Sequence, residues 1–286
     1  MEIIVPVQGG ELWADVTATD GPPLLLLHPG VGDSRIWARM MPRLAERFRV
    51  IRYDVRGYGR SAPATVPYGM LDDLVAVLDH FDLDRVNLVG SSMGGGTAIN
   101  LALADPGRVT GLVLVCPGIS GYPWPDEPEL DAEYERLEAA GDYDGVLALA
   151  VREWAAAGAD DEAVAQLRSG VGAWSNEARY QLPDLPSFDR LGELSVPTVI
   201  MVGDLDRPAL IASNELAADR IPRCRLVWMP GVDHLPPLRV PDLVTDTIFD
   251  HYGSGLEALV HHVQADEAAG RVVERFRDRG EDLEAQ

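Results

Sequence analysis

VNLVGSSMGGGTAIN, residues 86–100, runs from apolar residues through two serines into three consecutive glycines. Each glycine inside a helix costs up to about 1 kcal/mol relative to alanine. The stretch therefore needs backbone room more than helix stability. Gly90, Ser92 and Gly94 match G-x-S-x-G between a strand pattern and a helix pattern, the context of a nucleophile elbow. In such a turn the serine backbone is strained, and the residues two before and two after it lie too close to neighbouring backbone for a side chain. This frame selects the serine. Ser91 is flanked at those positions by Val89 and Met93, whereas Ser92 is flanked by two glycines.

On either side, short apolar runs alternate with amphipathic ones. EIIVPV and ELWADVT form a strand pair around Gly9-Gly10, and PLLLLH has the unbroken apolar character of a strand buried on both faces. SRIWARMMPRLAERF has helical spacing at Ile36, Met40, Leu44 and Phe48; RVIRYD is a strand, MLDDLVAVLDHF a helix and RVTGLVLVC a further strand. This βαβ rhythm implies a mostly parallel sheet with helices on both faces. It breaks after PGISGYPWPDEPEL and resumes with VPTVIMVGD and CRLVWMP. The expected organisation is an α/β core over residues 1–118 and 191–252, a helical lid over residues 119–190 and an amphipathic C-terminal helix over residues 253–286. In that last helix Leu256, Leu259, Val260, Val263, Val272 and Phe276 make an apolar stripe.

A serine hydroxyl is a weak nucleophile. It needs a base, an acid to orient the base and an oxyanion hole. After a nucleophile elbow the acid comes before the histidine in chain order. Four histidines follow Ser92. His261 and His262 fall in the tail and His251 ends a helix, and all three are expected to be solvated. His234 sits in the loop MPGVDHLPPLRVPDL and is the expected base. VGDLDRP offers two acids. Asp204 follows the strand directly and suits an Asx-type turn, so Asp206, further into the loop, is the expected acid. One oxyanion donor is the amide of Met93. The other belongs to HPGVGDS, where Pro29 has no N–H, which leaves Gly30 first and Val31 second. His28 is expected to brace that loop.

Composition narrows the partners. With 46 acidic residues against 24 basic ones the net charge is -22, which opposes binding to nucleic acid or an anionic membrane surface. Every basic side chain is arginine, so a Schiff-base lysine and a P-loop are excluded. Cys116 and Cys224 are expected to be buried reduced thiols in a cytoplasmic protein, and no Cys/His spacing suggests a metal site.

Together, LLLLHPGVGDSRIW, RVIRYDVRGYGRSA, LVGSSMGGG, VGDLDRP and GVDHLPPLRVPDL resemble the α/β-hydrolase fold superfamily, in its serine branch of enol-lactonases, carboxylesterases and carbon–carbon bond hydrolases. The resemblance spans about Glu11 to Tyr252 and leaves the lid unmatched. His28-Pro29 departs from the usual His-Gly. The resemblance implies a mostly parallel eight-stranded sheet, no cofactor, and cleavage of esters or lactones through an acyl-enzyme. Carbon–carbon cleavage, a ligand receptor and a perhydrolase are the alternatives on the same fold. Between Gly121 and Arg190 eight aromatics accompany sixteen carboxylates and five arginines. Trp124 and Trp154 are the expected substrate-binding residues, beneath a negatively charged rim, a combination that favours small neutral or hydrophobic esters and lactones. The apolar tail is expected to dock on its own body or on a second subunit, which would make a homo-oligomer.

Overall fold

The computed structural model describes residues 1–253 and 274–276. Its strands are β1 (Glu2–Val7), β2 (Gly10–Val16), β3 (Pro23–Leu27), β4 (Arg49–Tyr53), β5 (Val86–Ser91), β6 (Val109–Val115), β7 (Thr198–Gly203), β8 (Cys224–Met229) and β9 (Glu274–Phe276). They form one sheet in the order β1-β2-β4-β3-β5-β6-β7-β8-β9. From β4 across to β8 every neighbouring pair is parallel. The eight strands before Gly253 are the mostly parallel sheet that the βαβ rhythm predicts.

The helices are α1 (Met41–Leu44), α2 (Met70–His80), α3 (Met93–Ala104), α4 (Pro128–Ala139), α5 (Tyr143–Trp154), α6 (Asp161–Tyr180), α7 (Pro208–Arg220), α8 (Pro236–Arg239) and α9 (Pro241–Gly253). Among the described residues none is long and apolar enough to cross a membrane. Two apolar layers sandwich the sheet. Leu25, Leu27, Leu88 and Leu112 face one layer, and Leu24, Leu26, Val89 and Val113 face the other. Both faces of β3 and β5 are thus covered, which is why their sequences are apolar without alternation.

The chain lays β4 on one side of β3 and β5 on the other. The loops leaving β3 and β5 therefore part company and open a crevice at the carboxyl ends of the strands, where ligands bind in open α/β sheets. Helices α4, α5 and α6 all lie in the long insertion between β6 and β7.

Two stretches differ from expectation. The helical spacing across Ser34–Phe48 is realised only as a 3-10 turn, Ser34–Trp37, followed by the four-residue α1. Pro42 lies in the first turn of α1 and has no N–H to continue a helix arriving from before it. In the tail, the expected helix is replaced at Glu274–Phe276 by β9, which pairs antiparallel with β8 through Arg225↔Phe276, Leu226↔Arg275 and Val227↔Glu274. An outer strand offers a row of free backbone groups, and β9 satisfies those of β8. The rest of the expected tail helix lies outside the described residues, as does any oligomer contact through it.

Candidate active site

Ser92 stands between the end of β5 and the start of α3 with φ 48° and ψ -113°. A non-glycine residue at positive φ is strained by about 1–3 kcal/mol and needs surroundings that hold it there. The surroundings are specific. The Ser92 amide donates to Val115 O at 3.0 Å, and Ser92 O accepts from Gly96 N at 3.1 Å and Gly118 N at 3.0 Å. A Cβ at Gly90 would lie 2.4 Å from Gly94 O, and one at Gly94 would lie 2.4 Å from Leu27 O. The flanking glycines are thus sterically required. Gly95 and Gly96 make room for a different neighbour: Cβ atoms there would lie 2.8 Å from Pro117 Cβ and 2.6 Å from Gly118 O, where the chain leaving β6 crosses the start of α3.

The loop after β8 brings His234 over this turn. His234 Nε2 lies 2.8 Å from Ser92 Oγ, and Nδ1 lies 2.8 Å from Asp206 Oδ2. Asp206 Oδ1 also accepts from Arg207 N at 2.7 Å. Both His234 and Asp206 are buried, so the chain from carboxylate to imidazole to hydroxyl is largely shielded from water. Asp204 is turned elsewhere and accepts from Gly231 N at 2.6 Å, a tie to the loop after β8 rather than the local Asx-type turn expected for it. Asp233 is also directed away from the ring. It accepts from Ala157 N at 3.0 Å and Leu235 N at 3.1 Å and pairs with Arg239 at 2.9 Å, tying the His234 loop to the insertion.

Cys116 joins this group. It sits at the end of β6 with φ 46°, fully buried. One potential ligand atom from each of Cys116, Asp206 and His234 lies within 4.8 Å of the other two. Burial, and then the neighbouring Asp206 carboxylate, push the Cys116 thiol far above its ordinary range, so it stays protonated. Both His234 nitrogens already have partners. With one ring nitrogen held by Asp206, the other by Ser92, and the thiol protonated, the three residues are a poor match to a metal's demand for free lone pairs.

The second wall of the crevice is the loop after β3. A Cβ at Gly30 would be 3.4 Å from Met93 Sδ and 3.6 Å from Tyr58 Oη, so Gly30 and Met93 face each other across the elbow. No hydrogen bond among the described residues uses the Gly30 or Val31 amide, while Met93 N is at the start of α3, where amides have no partner within the helix. His28 braces the loop from below. Its Nε2 accepts from Val55 N at 2.9 Å, which puts the proton on Nδ1 for donation to Pro29 O at 2.9 Å.

Trp154 is brought to the site, with its ring centroid 4.6 Å from that of His234. Trp124 is not in such contact; it packs edge-on against Tyr122 and is 43% exposed. Tyr58 and Glu177 are residues that pattern reasoning missed. The Tyr58 hydroxyl donates to the Glu177 carboxylate. Burial raises the Glu177 pKa, the Tyr58 bond opposes that, and Asp184 adds to it.

A sequence profile described as alpha/beta hydrolase fold matches residues 22–165, and the chain belongs to this family. It is 30% identical over 245 residues to a pimeloyl-[acyl-carrier protein] methyl ester esterase of Nitrosomonas europaea, covering 79% of this chain and 94% of that protein. It is 41% identical over 119 residues to a 2-hydroxymuconate semialdehyde hydrolase of Pseudomonas sp. (strain CF600), covering 39% of this chain and 41% of that protein. The chain spans less than half the length of the curated relatives that it matches at 41% identity. The solved structure of Est816, described as an N-acyl homoserine lactone degrading enzyme, aligns with a TM-score of 0.72 at 28% identity, over 87% of this chain and 99% of that one. The protein is an α/β hydrolase with esterase, lactonase and carbon–carbon hydrolase-like relatives.

Proposed function

We propose that this hydrolase cleaves carboxylic esters or lactones with Ser92 as nucleophile, His234 as general base and Asp206 as the acid that orients it. The observation that carries this reading is the unbroken contact chain from Asp206 Oδ2 through His234 to Ser92 Oγ, with both links at 2.8 Å. Ser92 Oγ attacks the carbonyl carbon while His234 Nε2 takes its proton, and Asp206 stabilises the imidazolium that forms. The carbonyl oxygen becomes an oxyanion held by the amides of Met93 and Gly30, with Val31 as the alternative donor. His234 returns the proton to the leaving oxygen, which departs as an alcohol or, from a lactone, stays tethered to the acyl group. Water, deprotonated by the same histidine, then releases the carboxylate and restores Ser92.

In this reading residues 1–118 and 191–252 are the catalytic core and residues 119–190 are a cap above it. Trp154, against the imidazole, lines the acyl pocket, and Trp124 lies further out toward its mouth. The substrates are small, neutral or hydrophobic, and no cofactor is needed. A fluorophosphonate probe should label the native protein at Ser92, and Ser92→Ala should lose both labelling and ester turnover. Labelling that persists in Ser92→Ala and vanishes in Ser91→Ala sinks the assignment. The 41% match to a 2-hydroxymuconate semialdehyde hydrolase favours one second reading, hydrolysis of a carbon–carbon bond. Faster turnover of an acidic dienone than of any ester or lactone would move it ahead.

A further inference from the structure

Helix α6 lies against the loop after β3 along three of its turns. Gln166 Oε1 accepts from Asp33 N at 2.9 Å, and Ser169 Oγ donates to Asp33 Oδ2 at 2.6 Å. A Cβ at Gly170 would lie 2.8 Å from both Gly30 O and the carbonyl carbon of Val31, so helix and loop meet backbone to backbone. One turn on, Trp174 Nε1 donates to Gly30 O at 2.7 Å.

The consequence follows from peptide planarity. In a trans peptide the N–H points opposite the C=O of the same plane. The Pro29–Gly30 plane carries the Gly30 N–H, and its carbonyl is held from the core side by His28 Nδ1 at 2.9 Å and by Gly32 N at 3.2 Å. The Gly30–Val31 plane carries the Val31 N–H, and its carbonyl is held from the insertion side by Trp174. Glycine itself resists rotation of neither plane. The first plane is thus fixed from within the loop, and the second is fixed from outside it, by Trp174 alone among the described residues.

We infer that Trp174 is a positioning residue for the oxyanion hole, so that the insertion assembles part of the catalytic machinery as well as covering it. This rests on the function proposed above, with the Val31 amide, whose plane Trp174 grips, as the second oxyanion donor. The hole is complete only while α6 is seated on the loop, and any motion that lifts α6 releases the Gly30–Val31 plane.

Trp174→Phe keeps an aromatic ring toward Tyr134, whose ring centroid is 6.1 Å from the native indole, and removes the N–H donor together with part of the indole. Losing an oxyanion donor outright lowers kcat by about 10²–10³, so loosening one should lower kcat for an activated ester by about tenfold or more. KM should stay within about threefold, because substrate and transition state are affected differently. Affinity for a trifluoromethyl ketone, which forms a tetrahedral adduct on serine, should fall in parallel with kcat/KM. Unchanged kcat, or a raised KM with unchanged kcat, overturns the inference, since a mere pocket wall gives the second pattern. Should Trp174→Phe fail to fold, Gly170→Ala decides: alanine favours helix but pushes α6 off Gly30, and the same selective loss of kcat is expected, with an unaltered kcat overturning the inference. A native protein that neither labels at Ser92 nor turns over any ester or lactone defeats the proposed function instead, independently of the variant-to-native ratio.

Discussion

Gly94 lies so close to β3 that a Cβ placed on it would sit 2.4 Å from the carbonyl oxygen of Leu27 and 2.6 Å from its carbonyl carbon. Neither atom can move without displacing the strand that carries the oxyanion loop. Gly94→Ala should therefore cost on the order of 1–3 kcal/mol, the usual range for an overpacked core. At roughly 2–4 °C per kcal/mol for a chain of this size, the melting temperature should fall by several degrees, and Ser92 labelling should slow. Gly172→Ala in α6 is the control: nothing lies within 4 Å of a Cβ there, and alanine gains up to about 1 kcal/mol in helix propensity. A thermal melt in which the two variants behave alike would refute the steric account of the elbow.

Asp206 and Asp204 are two residues apart and make opposite predictions. Asp206 Oδ2 meets His234 Nδ1, whereas Asp204 Oδ1 accepts from the Gly231 amide. An asparagine at 206 can present its NH2 group to the ring and hold the wrong tautomer, at a cost on the order of 10⁴ in kcat. An asparagine at 204 keeps an acceptor oxygen for Gly231 and should leave kcat within about threefold of native. Steady-state kinetics on Asp206→Asn and Asp204→Asn decide the matter, and the reverse ranking removes Asp206 from the proposed mechanism.

The contrast between these two aspartates marks what local sequence could convey. Gly90, Ser92 and Gly94 were legible because the steric demand of the elbow acts within five residues. The apolar strands were legible because burial on both faces leaves no room for alternation. His234 followed from chain order. Trp174 and Gly30 are 144 residues apart, and no periodicity announces that an exposed-looking helix grips a loop carbonyl. Cys116 was expected to be a buried thiol, and it is free and buried, but its place beside Asp206 depends on how the strand ends line up across β6 and β7. The helical spacing over Ser34–Phe48 failed at Pro42, where a single missing N–H outweighs apolar periodicity. At Glu274–Phe276 the outer edge of β8 competed with helix propensity and won.

His251 was expected to be solvated, yet it is half-buried in α9, with its Nε2 and the Pro197 carbonyl oxygen both close to Gly111. Burial first, with Arg225 and Arg223 nearby, lowers its pKa to about 4. An unfolded histidine titrates near 6.5, so between these values the unfolded chain binds the extra proton and the folded chain does not. This contribution to stability is complete above about pH 6.5 and is lost as the pH falls toward about 4. Urea unfolding at about pH 7 and about pH 5 should show the native protein losing on the order of 1–2 kcal/mol more than His251→Asn. Equal losses in the two proteins would show that His251 does not couple protonation to folding.

Glu177 bears on the substrate. Its carboxylate accepts from Tyr58, whose hydroxyl is 3.6 Å from where a Cβ on Gly30 would stand. A half-buried acid thus sits beside the proposed oxyanion loop, while the remaining carboxylates of the insertion are mostly on its outer surface. Both disfavour a substrate that carries its own carboxylate, but they differ in screening. Surface charges are screened over about 8–10 Å at physiological salt, and buried ones much less. A neutral ester should therefore be cleaved with higher kcat/KM than its carboxylated analogue. Raising the salt should narrow that gap only in part, and Glu177→Gln should narrow what remains. A gap that closes completely with salt assigns the effect to the outer surface alone. A carboxylated substrate that wins in the native protein requires a cation at the pocket. Arg207 already lies over the Trp154 ring, 4.9 Å from its centroid and paired with Glu127 and Glu153, whereas Arg152 is engaged by Glu133 and Glu153 and Arg179 lies over Tyr180, so a partner would have to be given up to supply it. That outcome would favour the carbon–carbon reading, because an acidic dienone brings a carboxylate to the site.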